Sequence, residues 1–298
     1  MRIAIASGKG GAGKTTIAVS LASVWNRPCV LADTDVEAPN VHLFLEPEIT
    51  DRYPVTLEVP VPDAERCSSC GACVALCRFK AIARFGQKIV VFPEMCHGCG
   101  GCFAVCPKNA LGRGERLLGE LEAGIVLRGK HSFLMGRARV GESMTPPQLR
   151  ALQARLETLA GNDRDVLLDA PPGVTCPAMT AVRDADLILL AAEPTPFGFH
   201  DFRLAHQAFL ILEKPMAVVV NRAGIPGNSN GDNALREYCA KAGLPVLAEL
   251  PFDRDAAEQY AKGLLLTELS TVWNDRFVAL REALTAFPLR RSEERSDA

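Results

Sequence analysis

Short apolar runs alternate with amphipathic segments along most of this chain. Six of these runs have the length and composition of buried strands: Ile3–Ala6, Cys29–Ala32, Val166–Leu168, Leu187–Ala191, Ala217–Val220 and Val246–Glu249. Apolar residues recur at helical spacing in six other segments: Lys14–Trp25, Pro147–Leu159, Phe199–Leu212, Ala234–Ala242, Asp255–Lys262 and Leu269–Thr285. Strands that alternate with helices predict an α/β fold, with a mostly parallel sheet flanked by helices.

Part of the chain departs from this alternation. A proline-spaced stretch with Pro54, Pro60 and Pro62 leads into a segment rich in cysteine. Farther along, Leu117–Arg139 has a glycine-broken alternation that predicts a hairpin. We therefore predict a main domain in two parts, residues 1–59 and 113–288, with a small α+β domain inserted between them at residues 60–112. Residues 289–298 are predicted to form a charged, disordered tail.

Composition narrows the classes of function. The 298 residues are 48% hydrophobic and 23% charged, enough for one large core and a small satellite domain. A net charge of −2 gives no general affinity for nucleic acid or membrane surfaces. The apolar run at the N-terminus is too short for a signal peptide, and Leu187–Ala192 has strand length. We expect a cytoplasmic protein that binds neither nucleic acid nor membrane.

Eight of the eleven cysteines form two copies of the spacing C-x-x-C-x-x-C-x-x-x-C. This run holds [4Fe–4S] clusters in bacterial ferredoxins, where the fourth cysteine binds the other cluster. The prediction is one cluster on Cys67, Cys70, Cys73 and Cys106, and a second on Cys96, Cys99, Cys102 and Cys77. A [3Fe–4S] variant stays open, although all eight ligands are present.

Two other interpretations of the cysteines are weaker. Structural zinc prefers paired C-x-x-C knuckles, and a third cysteine at the same interval does not suit a tetrahedral site. A disulfide framework requires an oxidising compartment, which nothing in the sequence indicates. Arg78 stands after Cys77, where ferredoxins usually carry proline.

A second motif follows the strand Ile3–Ala6. Residues 8–15 satisfy G-x-x-x-x-G-K-[ST], the P-loop, in which glycines let backbone N–H groups surround a phosphate. Lys14 is expected to reach the β- and γ-phosphates, Thr15 to bind Mg²⁺ and Thr16 to touch the α-phosphate. The predicted nucleotide-binding loop consists of Gly8, Lys9, Gly10, Gly11, Ala12, Gly13, Lys14, Thr15 and Thr16.

The same residues also fit G-x-G-x-x-G, with Asp33 about 20 residues beyond Gly13, as in a dinucleotide site. Lys14 and Thr15 favour the P-loop, because a dinucleotide site has no use for them there. Val166–Leu168 is followed by Asp169, as in a Walker B strand that supplies an acidic group for Mg²⁺. Gly173 lies in the loop that follows, where its N–H could sense the γ-phosphate.

The sequence KGGAGKTT resembles the deviant Walker A motif of the MinD/ParA/nitrogenase iron protein superfamily. The resemblance covers residues 1–50 and roughly 113–285. It implies that Lys9 reaches across a dimer to the partner's phosphates and that Asp35 orients the attacking water and takes part in the Mg²⁺ site. It also implies that Asn221 hydrogen-bonds the adenine and that Pro251 is a neighbouring base contact.

The whole chain resembles MinD-superfamily ATPases that carry an inserted ferredoxin domain. That resemblance implies ATP, Mg²⁺ and two [4Fe–4S] clusters as cofactors, and a homodimer or a heterodimer with a paralogous ATPase. The leading hypothesis is ATP-gated electron transfer to a redox or metalloprotein acceptor, with Lys9, Lys14, Asp35 and Asp169 as catalytic residues. The alternatives are a factor that assembles or carries iron–sulfur or other metal centres and, less favoured, a positioning ATPase of the MinD or ParA kind.

Three cysteines and one histidine lie outside these assignments. Cys29 and Cys239 have the sequence context of small buried hydrophobes. Cys176 follows Asp169 by seven residues, at an offset that resembles a cluster ligand of the nitrogenase iron protein. A buried thiol is the favoured interpretation of Cys176, because free cysteine is usually buried. His97 lies between Cys96 and Cys99, where it either tunes a cluster or is an ordinary surface residue.

Overall fold

The structure is a computed structural model that describes residues 1–289. The predicted disordered tail, except for Leu289, lies outside the described residues. Leu289 is half-buried and packs against the main core. No helix within residues 1–289 combines the length and the apolar character needed to cross a membrane.

The described chain forms one large sheet and one small sheet. The strands are β1 (Arg2–Ala6), β2 (Cys29–Asp33), β3 (Glu48–Pro62), β4 (Ile82–Phe85), β5 (Lys88–Val91), β6 (Leu111–Val126), β7 (His131–Ala138), β8 (Asp165–Asp169), β9 (Leu187–Ala192), β10 (Met216–Ala223) and β11 (Val246–Pro251). The large sheet has the order β11-β10-β9-β1-β8-β2-β7-β6-β3, and β4 pairs with β5 alone.

The helices follow the strands in the alternating pattern that the sequence predicts. They are α1 (Lys14–Val24), α2 (His42–Leu45), α3 (Ala72–Leu76), α4 (Gly101–Ala104), α5 (Thr145–Ala160), α6 (Cys176–Val182), α7 (Pro196–Phe209), α8 (Ser229–Ala242), α9 (Arg254–Tyr260), α10 (Leu266–Leu269) and α11 (Thr271–Thr285). The predicted α/β class with a mostly parallel sheet is confirmed.

The middle of the large sheet is parallel, and this arrangement positions the candidate site. β1 lies between β8 and β9 and runs parallel to both, with Ile5 level with Asp169 on one side and Leu189 on the other. β2 runs parallel to β8, with Asp33 level with Asp169. Because parallel strands end at the same edge, the loops that follow β1, β2 and β8 meet there.

Two long helices cover the buried strands of the main core. Ile17 and Leu21 on α1 and Phe277 on α11 belong to one cluster with Leu31 of β2 and Phe133 of β7. None of these five side chains is exposed to solvent. Burial of each side chain is worth about 1.5–3 kcal/mol relative to exposure, so this cluster stabilises the parallel sheet strongly.

Two compact units divide the chain. The first comprises residues 1–52, 121–137 and the chain from residue 149 onward, and the second comprises residues 53–120 and 138–148. The predicted insert of residues 60–112 lies within the second unit, which also includes residues 53–59, 113–120 and 138–148. The strands β3 and β6 each begin in one unit and end in the other.

The proline-spaced stretch that precedes the cysteine-rich segment was not predicted to be a strand. It forms part of β3, which alternates buried Val55, Leu57 and Val59 with exposed neighbours. β3 lies at the end of the sheet order. An edge strand tolerates proline because the missing N–H has no ladder partner on the open side.

The second unit repeats one local structure. Gly71 precedes α3 with a φ of 82°, and Gly100 precedes α4 with a φ of 73°. Each glycine directly follows the second cysteine of its run, and the left-handed conformation favours glycine. The duplicated spacing in the sequence therefore corresponds to a duplicated turn and short helix.

Candidate functional site

The first candidate site is the loop between β1 and α1, at the edge where the parallel strands end. Gly13 closes the loop with a φ of 93°. A Cβ at Gly13 would overlap the side-chain amide of Asn221, and a Cβ at Gly8 would overlap the backbone of Asp201. The loop therefore has a tight course that only glycine permits at these two positions.

Lys14 is held inside this loop. Its side chain is buried, and Nζ donates to the Ser7 hydroxyl at 3.1 Å, which in turn donates to the Lys9 carbonyl at 2.6 Å. Burial lowers the pKa of Lys14, while the nearby carboxylates of Asp169 and Asp35 act to raise it. The ammonium is thus desolvated and fixed, which suits binding to a polyanion.

Thr15 and Asp169 meet at the base of the loop. The Thr15 hydroxyl lies 2.5 Å from Oδ2 of Asp169 and 2.8 Å from Oδ1 of Asn40. The other carboxylate oxygen of Asp169, Oδ1, is buried without a hydrogen-bond partner in the described structure. Burial raises the pKa of Asp169, and the neighbouring charge of Asp33 adds to the rise.

This geometry fits Mg²⁺. The ion prefers oxygen ligands, and the pairing of Thr15 with Asp169 supplies a hydroxyl and a carboxylate with an unsatisfied oxygen. A divalent cation would also favour the charged form of a carboxyl whose pKa burial has raised. Both residues were predicted to take part in such a site.

The carboxylate of Asp33 is engaged in backbone hydrogen bonds, which excludes it from the ribose-binding role that a dinucleotide site would require. It is fully buried, and its carboxylate accepts the backbone N–H groups of Asp35, Asn40 and Val41 at 3.1, 2.8 and 3.0 Å. A dinucleotide site would need this carboxylate to be free for a ribose hydroxyl. Asp33 instead shapes the loop after β2, which carries Asp35.

The two loops that carry Asp35 and Gly173 lie beside the P-loop. The carboxyl of Asp35 is half-buried and close enough to Lys14 for their charges to interact, and burial raises the pKa of Asp35. The N–H of Gly173 donates to the carbonyl of Ser7 at 2.9 Å. Thr34 donates to the Asp169 carbonyl through both its backbone N–H, at 3.0 Å, and its hydroxyl, at 2.7 Å. These bonds connect the loop of Gly173 to the P-loop, and the loop that carries Asp35 to the end of β8.

Lys9 forms an ion pair within its own chain. Its ammonium lies 3.0 Å from Oε2 of Glu193. The same carboxylate oxygen forms a second ion pair with the guanidinium of Arg222, at 3.3 Å. Glu193 follows β9 at the same sheet edge and is 8% exposed. Sequence reasoning missed Glu193 and Arg222, because a single acid after an apolar strand has no distinctive spacing.

Of the two residues predicted to contact the base, Asn221 adjoins the P-loop, and its amide donates to the Ala12 carbonyl at 2.9 Å. Pro251 ends β11. Tyr260, at the end of α9, stacks on Phe44 with ring centroids 4.6 Å apart. Burial raises the pKa of the Tyr260 phenol, and a hydrogen bond with Thr16 opposes the rise. No sequence motif marks this tyrosine.

The second candidate site comprises the eight cysteines of the two runs, which the structure divides into two groups of four. One cavity is lined by Cys67, Cys70, Cys73 and Cys106. The other cavity is lined by Cys77, Cys96, Cys99 and Cys102. Each cavity thus combines three cysteines of one run with the last cysteine of the other.

Thiol electrostatics agree with this grouping. Burial raises the pKa of Cys73, and the nearby Cys106 and Cys67 raise it further. Burial likewise raises the pKa of Cys102, with Cys96 contributing. Within residues 1–289, no three His, Cys, Asp or Glu side chains surround a single point closely enough to bind one metal ion. A cubane cluster presents a different requirement, because four cysteines bind four separate irons around its periphery.

The three remaining cysteines differ from one another. Cys29 and Cys239 are buried, and burial raises their pKa values to about 12 and about 11. Their interpretation as buried hydrophobes is confirmed. Cys176 is exposed at the first position of α6, so the prediction of a buried thiol there was wrong. The prediction for Cys176 rested on residue type alone, whereas the start of helix α6 is exposed to solvent.

A P-loop between the first strand and the first helix, beside a parallel strand that ends in aspartate, defines a class of proteins. That class is the nucleotide-binding P-loop α/β proteins.

Within this class, the chain belongs to the CobQ/CobB/MinD/ParA nucleotide binding domain family, whose model matches residues 3–266. It is 31% identical over 291 residues to the uncharacterized protein MJ0578 of Methanocaldococcus jannaschii, a match that covers 96% of this chain and 97% of the relative. It is 26% identical over 276 residues to the uncharacterized protein MJ0579 of the same organism, covering 88% and 90%.

Solved structures share the fold. MinD of Pyrococcus horikoshii, complexed with Mg-ADP, has a TM-score of 0.57 at 18% identity and covers 96% of both chains. McdA of Cyanothece, in a complex with ATP, has a TM-score of 0.59 at 17% identity and covers 98% of both chains. MinD of Aquifex aeolicus, solved in a complex with MinC, has a TM-score of 0.58 at 16% identity and covers 97% of this chain and 98% of that chain. These likenesses show the fold alone.

Proposed function

We propose that this member of the family is an ATP-hydrolysing protein that carries two [4Fe–4S] clusters and couples a nucleotide-dependent dimer switch to electron transfer. The division of the eight cysteines between two cavities is the observation that carries the proposal. The electron acceptor would be a redox protein or metalloprotein in the cytoplasm, where thiols stay reduced. The ferredoxin-like insert at residues 60–112, between two parts of the ATPase domain, is part of this proposal.

The nucleotide half of the proposal assigns a role to each residue of the first site. Lys14 would bind the β- and γ-phosphates, and Thr15 and Asp169 would hold Mg²⁺, with Asp35 nearby. Asp35 would also orient the attacking water, since its half-buried carboxyl lies close to the charge of Lys14 in the phosphate loop. The N–H of Gly173, which donates to Ser7, would be available to the γ-phosphate once that bond opens.

Lys9 and the base contacts complete the nucleotide site. Lys9 would leave Glu193 and reach the phosphates bound by a second subunit, either a copy of this chain or a paralogue. Asn221 and Pro251 would contact the adenine at the edge of the sheet where both lie. The bond from Asn221 to the Ala12 carbonyl supports this role, because it holds the amide against the phosphate loop.

The cysteine half of the proposal depends on the two groups of four thiols. Cys67, Cys70, Cys73 and Cys106 would bind one cluster, and Cys96, Cys99, Cys102 and Cys77 would bind the other. Bound clusters of this type accept and release single electrons. The chain itself supplies backbone donors at the sulfurs: the N–H of Gly98 donates to Cys96 Sγ at 3.4 Å, and that of Ala110 donates to Cys106 Sγ at 3.3 Å. Such bonds stabilise a thiolate.

The test begins with iron content after anaerobic reconstitution. Two [4Fe–4S] clusters require about eight irons per chain. Cys73→Ala should lower the iron content, while Cys176→Ala, which removes an exposed cysteine outside both groups, should leave it unchanged. Fewer than about four irons in the unmodified protein would refute the cluster assignment.

The second stage measures coupling. The loaded protein is reduced, and its oxidation by an acceptor is followed with ATP, with ADP and with the Lys14→Ala variant. We expect faster transfer with ATP, and we expect Lys14→Ala to remove that difference because it deletes the phosphate contact. Equal rates in all three cases would refute the coupling and leave the nucleotide and cluster assignments separate.

A second candidate function is the assembly or delivery of iron–sulfur or other metal centres. One observation favours it: Cys70 and Cys99, one in each group, are exposed, and an accessible ligand can take part in transfer. Incubation with a cluster-free client protein distinguishes the two functions. Net loss of iron from this protein to the client during ATP hydrolysis would favour delivery over electron transfer.

A further inference from the structure

The two cysteine cavities differ in the aromatic side chains that line them. The described residues lining the first cavity include the apolar Ile89 and Leu111 but no aromatic residue. The second cavity is lined by Phe79, His97 and Phe103, together with Leu76. The second cavity therefore has the apolar side chains that contact with another protein requires.

Two of these apolar side chains reach solvent. Leu76 is 43% exposed and Phe79 is 41% exposed. The ring of Phe79 stacks on His97, with centroids 3.7 Å apart and planes within 9°. Exposed aromatic and aliphatic groups held in a fixed geometry are typical of protein contact surfaces.

Basic groups flank this apolar pair. Arg78 and Lys80 lie on either side of Phe79 in the chain, and both are exposed. Residues 66–93 contain no aspartate or glutamate. Neither Arg78 nor Lys80 has an ion-pair partner among the described residues.

Three acidic groups of the same unit are engaged by other arginines. Glu94 pairs with Arg139 at 2.6 Å, and Asp63 pairs with Arg66 at 2.7 Å. Glu58, which lines the second cavity, is bound by Arg113. The positive charge beside Phe79 is therefore not offset by these carboxylates.

We propose that Leu76, Arg78, Phe79, Lys80 and His97 form a docking face, the basic aromatic face, for an acidic one-electron carrier protein. The proposal rests on the function proposed above and names the kind of partner. Unpaired cations would meet carboxylates that surround the partner's redox centre, and charge complementarity of this kind mainly sets specificity and association rate. Leu76 and Phe79 would supply the apolar centre of the contact.

The test measures binding of the cluster-loaded protein to an acidic flavodoxin by calorimetry. We expect the Kd to rise steeply between about 50 and 300 mM salt, as screening shortens the range of the charges. The variant Arg78→Glu/Lys80→Asp should weaken binding about tenfold. Aspartate is chosen for Lys80 because its φ of 56° lies in the left-handed region, which aspartate tolerates.

A matched control changes the same charge elsewhere in the unit. Arg84→Glu/Lys88→Glu alters the net charge equally, and these two exposed residues line neither cavity. We expect this control to change the Kd by less than about twofold. Iron content and ATP hydrolysis of both variants should match the unmodified protein, which shows that the fold and clusters are intact.

Three results would overturn the docking proposal. They are equal weakening by both variants, no binding of flavodoxin at low salt, and tighter binding of the face to duplex DNA than to flavodoxin. Each of these can occur while the protein holds its full iron and reduces a small viologen dye in an ATP-dependent way. In that case the proposed function stands and only the partner assignment fails.

Discussion

The pair between Lys9 and Glu193 leads to a quantitative prediction about dimer formation. If Lys9 reaches the partner's phosphates in the ATP-bound dimer, it must first leave Glu193. Each subunit would lose one ion pair when the dimer closes. Replacement of Glu193 by glutamine keeps the shape of the side chain and removes most of that loss, so we expect Glu193→Gln to strengthen ATP-dependent dimerisation.

The size of the effect follows from the geometry. The side chain of Lys9 is 28% exposed and that of Glu193 is 10% exposed, with 3.0 Å between the charged atoms. A partly exposed pair of this kind is worth about 0.5–1 kcal/mol. Two pairs per dimer give about 1–2 kcal/mol, which corresponds to a dimerisation constant about five- to thirtyfold larger.

The assay is sedimentation velocity at saturating Mg·ATP, in an Asp35→Ala background chosen to slow hydrolysis. Glu237→Gln serves as the matched control, because Glu237 is an exposed carboxylate paired with Lys241 at 2.6 Å. The reasoning fails if Glu193→Gln leaves the dimerisation constant unchanged. It also fails if the gain persists when Lys9→Ala is added, because the effect must act through Lys9.

Three further predictions concern single residues. Gly13→Ala should weaken ADP binding more than tenfold, because Gly13 has a positive φ and a Cβ there would overlap its neighbours. Gly10→Ala should have little effect, because the space around its Cβ is open. Similar Kd values of the two variants for ADP would contradict this. His131 is buried with a pKa lowered to about 4, so the free energy of unfolding should fall by up to about 3 kcal/mol as pH drops from 6.5 to 4, because only the unfolded chain takes up the proton in that range. Urea unfolding of His131→Gln should show a flatter pH dependence, and an unchanged slope would exclude this histidine as the cause. Tyr260→Phe retains the ring but loses the hydroxyl bonded to Thr16, and titration calorimetry should show about two- to tenfold weaker ADP binding; an unchanged Kd would mean that the phenol does not support the site.

The central elements of the fold could be predicted because their signals are local. Each of the six predicted strands corresponds to a strand of the sheet, with ends within a few residues. The motif at residues 8–15 and the aspartate at the end of β8 were recognisable because their spacing reflects phosphate chemistry. β3 could not be predicted, since its prolines are compatible with a strand only when that strand is at an edge.

The contacts that complete the nucleotide site depend on distant parts of the chain. Glu193 meets Lys9, and Tyr260 meets Thr16, across separations of well over a hundred residues. No local pattern encodes such a meeting, because it arises from the order of strands in the sheet. The exposure of Cys176 was also beyond reach, since residue type indicates average burial but not the course of one loop.

The path of β3 and β6 has a consequence for how such a chain could have arisen. Within the first unit, Arg52 pairs with Glu122 at 2.8 Å, and the Thr50 hydroxyl donates to the Ala123 carbonyl at 3.4 Å. The places where the chain leaves and re-enters the first unit are therefore neighbours. A short turn could join residue 52 to residue 121 without re-threading the parallel strands. Residues 53–120 therefore have the layout of a cassette that one recombination event could add or remove, with residues 138–148 as the part of the second unit that lies outside it.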